Sequence, residues 1–114
     1  MIIKLSPQRR DDTIEITKAG STLMVNGEVF DFSLMTEGAT LPRAAISSEW
    51  FAGDVEMVDG EIILTMLLPN PVNYSPEQAF PADMINVPDG PVALPLPLPE
   101  PAPVTGNVQL EAAE

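Results

Sequence analysis

The side chains of this 114-residue chain that could bind a metal are carboxylates, four of which surround one Asp-Gly dipeptide. They are Asp54, Glu56, Asp59 and Glu61. Their oxygens could together hold a hard cation such as calcium, but their spacing fits no calcium-binding loop. A hairpin turn already explains Asp59-Gly60. We therefore predict no metal site here and no cofactor.

A second group of carboxylates, Asp11, Asp12 and Glu15, could supply a pair for acid/base chemistry. Arg9 and Arg10 lie next to it in the sequence, so a solvated turn is the better interpretation. The chain contains no histidine and no cysteine, which removes the usual general base, most zinc ligands and every thiol nucleophile. The sequence therefore predicts a protein that is not an enzyme.

The charge of the chain is acidic and unevenly distributed. The net charge is -12, and the five cations all lie at or before Arg43, whereas eleven carboxylates follow it. Such a field repels nucleic-acid phosphates and anionic lipids. No apolar stretch approaches the length of a membrane span, and the apolar run at the N-terminus is too short for a signal peptide. We expect a soluble protein, not exported by the usual route, whose partners are neutral or basic protein surfaces rather than nucleic acid or membrane.

The prolines divide the chain into two predicted regions. Eleven of the thirteen prolines lie at or beyond Pro69. Proline has no amide hydrogen and a fixed φ angle, so this density favours extended polyproline II over a sheet interior or a helix. We predict a small β domain over residues 1–68 and a proline-rich, acidic, extended arm over residues 69–114.

Two dipeptides predict β-hairpins within the first region. Asn26-Gly27 and Asp59-Gly60 each separate two β-rich runs, and such dipeptides favour a type I′ turn because both central residues need a positive φ angle. If Val25 pairs with Glu28, alternate apolar residues of the first hairpin share one face, which we expect to be buried. The same holds for the second hairpin if Val58 pairs with Glu61. The apolar residues expected on those faces are Leu23, Val25, Phe30, Phe32, Val55, Met57, Ile62, Leu64 and Met66.

The remaining β signals complete a mostly β prediction. Residues 2–5 and 13–18 are β-rich, and residues 6–12 between them are polar and turn-forming. Residues 43–46 have the composition for one helical turn, and Glu49 to Ala52 predicts a further strand. We predict a small antiparallel sandwich or open barrel of five to seven strands.

Apolar residues outside the predicted core are candidates for partner binding. Ile63 and Leu67 fall on the second face of their hairpin, which suggests that this face is covered by another strand or by a partner. In the arm, repeated Leu-Pro places leucine at every second position, as in a ligand for a groove or a sheet edge. The alternative for the arm is a disordered, solvated tail. The predicted partner-binding residues are Ile63, Leu67, Leu94, Leu96, Leu98, Val104, Val108 and Leu110.

Three stretches of the sequence resemble a group of small proteins of tailed bacteriophages and prophages. They are MIIKLSPQRRDDT at the N-terminus, Glu49-Trp50-Phe51 with Gly53 after it, and Asp59-Gly60-Glu61 leading to Leu64-Thr65-Met66-Leu67-Leu68-Pro69. The resemblance covers about residues 1 to 95 and leaves the run from Leu94 to Pro103 unmatched. Proteins of this group are encoded in the late region near tail-tip and tail-fibre genes.

The resemblance implies a role in the virion tail and carries over no catalytic residues. On this basis we expect a tail-associated structural protein, made in the host cytoplasm, that binds fibre or tail-tip proteins in an oligomeric assembly. Copies of itself are a further candidate partner. One alternative is a tail-fibre assembly chaperone that does not remain in the virion. Another is an acidic mimic of nucleic acid that inhibits a host defence enzyme.

Overall fold

A computed structural model describes residues 1–99, which form eight strands and one short α-helix. The strands are β1 (Ile2–Arg9), β2 (Ile16–Ala19), β3 (Thr22–Val25), β4 (Glu28–Asp31), β5 (Thr40–Leu41), β6 (Val55–Val58), β7 (Glu61–Asn70) and β8 (Gly90–Pro91), and the helix is α1 (Pro76–Ala79). Sheet A has the order β1-β7-β6-β5, and sheet B has the order β4-β3-β2-β8. The predicted mostly β class is confirmed, as a small sandwich-like fold that is not closed into a barrel. Six of the strands have four or more residues, and the other two are short pairs.

Both predicted hairpins are present with the predicted pairing. The φ angles are 49° at Asn26, 86° at Gly27, 52° at Asp59 and 75° at Gly60. Positive angles at both central residues are the signature of the type I′ turn. Val25 pairs with Glu28, and Val58 pairs with Glu61. The predicted turn chemistry and strand register are therefore confirmed.

The core lies between the two sheets and contains most of the predicted faces. Leu23 and Val25 of sheet B and Val55, Leu64 and Met66 of sheet A are all buried. Aromatic rings extend this contact, because the ring centroid of Phe51 lies 4.9 Å from that of Phe30 and 6.1 Å from that of Phe32. These edge-on contacts, together with the buried aliphatic side chains, join the two sheets into one core.

Strand β1 pairs with β7 in parallel, which the alternation pattern did not predict. Eight residue pairs connect the two strands, from Ile2 with Ile63 to Arg9 with Asn70. β1 therefore continues through the first residues of the predicted polar connection at 6–12. Pro7 is tolerated because β1 is the edge strand of sheet A, where a missing amide hydrogen on the outer side breaks no ladder bond.

The other edge of β7 pairs with β6 first and then with the stretch around Trp50. Leu67 N–H donates to Trp50 O at 2.8 Å, Ala52 N–H donates to Thr65 O at 2.9 Å, and Phe51 forms a single bridge with Met66. The strand predicted at 49–52 is therefore present only as this short contact. The helical turn predicted at 43–46 is present as a 3-10 turn over Arg43–Ala45.

The predicted division at Leu68 differs from the structure. β7 runs on through Pro69 to Asn70, and the chain after it returns to the sandwich instead of extending away. Ile3 and Met84 exchange two backbone hydrogen bonds of 2.9 Å, β8 pairs with β2, and Val87 is buried in the core. The rest of the predicted arm, residues 100–114, lies outside the described residues.

Candidate interaction surface

The predicted partner-binding residues lie in different environments. Ile63 and Leu67 are half-buried on the outer face of sheet A. Both belong to β7 and lie outside the proline-rich segment that follows it. Leu94 is half-buried against the core. Leu96 and Leu98 are exposed, with 76% and 49% of their surface accessible. Val104, Val108 and Leu110 lie outside the described residues. Among the predicted residues that the structure describes, Leu96 and Leu98 are therefore the ones that form a candidate surface.

Hydrogen bonds hold the exposed leucines beside the segment that follows β7. Ser75 Oγ donates to the carbonyl of Leu96 at 2.7 Å. Leu98 N–H donates to Asn73 O at 2.9 Å, and Asn73 Nδ2 donates back to Leu98 O at 2.7 Å. Although the prolines of this run lack amide hydrogens, the residues between them keep carbonyls that accept these bonds. The leucine side chains are thus presented on an anchored backbone.

The anchored segments carry four exposed apolar side chains, which we call the apolar ridge. Its members are Val72, Tyr74, Leu96 and Leu98. Val72 is 75% exposed and Tyr74 is 48% exposed, and they flank the Asn73 that bonds to Leu98. Sequence reasoning missed Val72 and Tyr74 because they lie in the proline-rich transition after Leu68. Their spacing of two residues, which matches that of the leucines, was the available signal.

Three buried polar residues next to the ridge form hydrogen bonds that hold its segments in place. Ser75, Gln78 and Asn70 are each about 95% buried, with exposures of 4%, 4% and 5%. Ser75 and Gln78 form a capping box at the start of α1, in which each side chain bonds to the backbone N–H of the other. Asn70 Nδ2 donates to Gln78 O at 2.9 Å, which ties α1 to the end of β7. Asn70 Oδ1 has no partner within residues 1–99.

A cleft of about 200 Å³ adjoins the ridge. Its walls come from four parts of the chain, namely residues 11–14, residues around Leu68 to Pro71, Gln78 of α1, and the run from Leu94 to Pro97. Most of this lining is aliphatic or proline. The cleft offers an apolar side chain of a partner a place to insert next to the ridge.

The carboxylates at the rim of this cleft are engaged in ion pairs. Asp11 lies 2.8 Å from an Arg9 nitrogen, and Asp12 pairs with Arg10. The hydrogen bonds from Arg10 hold the pKa of Asp12 below its ordinary value. Arg10 also forms an ion pair with Glu49, and its guanidinium carbon lies over the Trp50 ring, 4.5 Å from the ring centroid. A carboxylate held ionised in this way is poorly suited to donating a proton near neutral pH.

The carboxylates around the second hairpin also have local partners. Asp54 accepts the backbone N–H of Arg43 at 2.7 Å, and Glu61 accepts a hydrogen bond from the N-terminal ammonium at 2.9 Å. Glu37 accepts the N–H groups of Asp59 and Gly60, each at 2.7 Å. Across the described part of the chain, no three or more acidic side chains are grouped so that they could hold a metal ion.

Neither a family model, nor a curated protein, nor a solved structure matches this chain. Within residues 1–99, the helix is too short to cross a membrane. The surface chemistry of these residues is therefore the basis for assigning a role, and its main feature is the apolar ridge beside an apolar cleft.

Proposed function

We propose that this protein is a non-catalytic structural component of a bacteriophage tail. Its sandwich docks on fibre or tail-tip proteins through the apolar ridge, and the proline-rich C-terminal part of the chain follows the partner surface. The sequence resemblance over about residues 1 to 95 supports the tail setting. The ridge is the observation that supports an interaction role.

The ridge combines four exposed apolar side chains on two segments that hydrogen bonds hold together. Single exposed apolar residues are common on soluble proteins, but a group of them on one anchored pair of segments is typical of an interaction site. Burying a Val or Leu side chain contributes about 1.5–3 kcal/mol, so two of them change affinity by more than about tenfold. Because hydrogen bonds already fix the ridge backbone, binding requires little further ordering.

The charge of the chain favours a partner of different composition. With a net charge of -12, two copies repel each other over the distance at which electrostatic steering operates. A neutral or basic tail protein is attracted or at least not repelled. The carboxylates of residues 1–68 mostly serve separate local contacts rather than one dense stripe, which favours this role over a mimic of nucleic acid.

The proposal is tested by the composition of purified particles. Tailed particles produced by the phage or prophage that encodes this chain should contain it in a fixed number of copies, measured by quantitative mass spectrometry. Cryo-electron microscopy should place those copies at the tail. Absence from purified tails that assemble normally would overturn the structural role, and absence together with failed tail assembly would indicate an assembly chaperone.

A further inference from the structure

Four strand edges are available for pairing in the two sheets, and three of them are protected. Exposed edges invite pairing with other chains, and proteins limit this with short strands, prolines or covering segments. β5 has only two residues, and β8 contains Pro91. β1 contains Pro7, and Met84 pairs with its Ile3 through two hydrogen bonds of 2.9 Å. Within residues 1–99, only β4 has none of these three protections.

The outer edge of β4 is open and carries free backbone groups. β4 has four residues, without proline or glycine. Phe32 N–H donates to Ser21 O at 2.9 Å, so by alternation Phe30 also faces β3, whereas Val29 and Asp31 point their N–H and C=O groups outward. Neither N–H of these two residues has a hydrogen-bond partner among residues 1–99.

An exposed apolar pair lies beside this edge. Val29 is 59% exposed, and Met24, the residue of β3 that pairs with it, is 45% exposed. They lie on the outer face of sheet B, opposite the buried Leu23 and Val25. A strand added to β4 would therefore place an apolar side chain against Val29 while its backbone satisfies the free N–H and C=O groups.

The charges at the edge select the occupant. Glu28 precedes Val29, and Asp31 follows it two residues later on the same face of the strand. The backbone N–H of Ser33 lowers the pKa of Asp31, which keeps it negative. The single base in the strands of sheet B is Lys18, and its ammonium lies 2.7 Å from Asp89. An antiparallel second copy of β4 would set Glu28 and Asp31 near like charges, which is unfavourable. Lysine or arginine at these positions would be favourable.

We propose that the free edge of β4 binds an extended segment of a basic partner protein, which adds a fifth strand to sheet B. The segment places an apolar residue on Val29 and Met24 and positions lysine or arginine near Glu28 and Asp31. This inference rests on the proposed function only in that the partner is a neighbour in the assembly. The edge is a surface separate from the apolar ridge.

The test uses the full-length protein and a ten-residue synthetic peptide with Lys-Thr-Val-Lys at its centre, which in an antiparallel pairing sets its valine opposite Val29 and its two lysines opposite Asp31 and Glu28. Nuclear magnetic resonance should show the largest peptide-induced shifts at the amides of Val29 and Asp31, whose hydrogen exchange should slow by about tenfold or more. A peptide with glutamate in place of lysine should bind at least about tenfold more weakly. The basic peptide methylated at its backbone nitrogens should lose binding. Equal binding of the methylated peptide, or shifts centred elsewhere, would overturn the proposal.

Variants separate the backbone contribution from the charge contribution. Val29→Pro removes an N–H that bonds to no other strand, and it should weaken the basic peptide by about tenfold. Should that protein fail to fold, Val29→Lys tests the same edge by placing a cation on it. Glu28→Gln should weaken binding severalfold, whereas Glu56→Gln, an exposed acid on β6 of sheet A, should leave it unchanged. Equal effects of the two glutamine variants would overturn the proposed site.

The peptide and particle experiments fail independently. Loss of peptide binding with the protein still present in virions would remove this inference and leave the tail role intact. Binding at β4 by a protein that is absent from virions would support the edge and remove the tail role.

Discussion

Residues 1–70 and residues 71–99 are held in place by different kinds of interaction. In the first region, backbone ladders and a shared apolar core dominate, including the eight residue pairs between β1 and β7. The second region contributes to the sheets only the two-residue strand β8 and the single bridge of Met84 with Ile3. It is attached to the first region by isolated backbone bonds, such as that from Val92 N–H to Ile16 O, by the Asn70 side chain, which donates to Gln78 O, and by a few apolar residues, of which Val87 is buried. Within the second region, side chains that bond to its carbonyls hold its segments together.

The difference shows how a proline-rich segment can be ordered without a ladder. Proline removes the donor that sheets and helices need, but the carbonyl acceptors of the chain remain. Asn73 and Ser75 supply donors to Leu98 and Leu96, each of which precedes a proline. A segment attached in this way leaves its own side chains free to face outward, which is the basis of the apolar ridge.

The largest expected effect comes from the core of the first region. Leu64→Ala should lower the free energy of unfolding by about 2–5 kcal/mol, because it leaves a cavity between the sheets. Chemical denaturation followed by tryptophan fluorescence measures it. Val58→Ala, on the neighbouring strand but 41% exposed, should change the free energy of unfolding by only about 0.5 kcal/mol. Similar losses in the two variants would contradict the assigned core.

A smaller effect tests whether the second region belongs to the same folded unit. Val87→Ala should cost about 1–2 kcal/mol of unfolding free energy, because Val87 is only 7% exposed and its methyl groups fill the same core. Ile85→Ala, two residues away and 64% exposed, provides the matched control and should have little effect. If Val87→Ala leaves global unfolding unchanged, residues 71–99 do not share the core.

Loss of the cap below the ridge should cost about 1 kcal/mol. Ser75→Ala removes the capping box of α1 and the bond to the Leu96 carbonyl. Amide exchange at Leu98 should accelerate more than amide exchange at Leu64, because the change is confined to the second region. Uniform acceleration across both regions would show that the ridge has no local attachment of its own.

The smallest effect concerns the surface ion pair between Lys18 and Asp89. The Lys18 ammonium, helped by the Gly20 N–H, lowers the pKa of Asp89 below its ordinary value of 3.8. The ion pair therefore stabilises the fold at pH values above 3.8, and this stabilisation is lost as the pH falls through the lowered pKa of Asp89. Asp89→Asn should slightly reduce the thermal midpoint at neutral pH and have less effect in acid. A larger loss in acid would contradict this sign.

Local signals in the sequence were sufficient for the hairpins but not for the rest of the fold. Asn26-Gly27 and Asp59-Gly60 specify their turns through neighbouring residues, so register and buried faces followed from alternation. The parallel pairing of β1 with β7 joins residues about 60 positions apart, and no local pattern encodes it. The density of prolines predicts that the sheet ends at Leu68, whereas β7 continues through Pro69 to Asn70.

The candidate surface was predicted only in part. The sequence predicts that Leu96 and Leu98 bind a partner, and both side chains are exposed in the structure. Val72 and Tyr74 were missed because their place beside the leucines depends on the bonds from Asn73 and Ser75. The two-residue spacing that Val72 and Tyr74 share with the leucines was visible in the sequence, but it does not reveal these side-chain bonds.

Competition between two forms of the protein for the same particles tests the ridge most directly. Wild-type protein and a Leu96→Ser, Leu98→Ser variant, expressed together at equal levels, should enter purified tails at a ratio of at least about ten to one. Leu34→Ser, which alters a residue that is 93% exposed but lies away from the ridge, should enter as well as the wild type. Equal incorporation of the double variant would contradict docking through the ridge.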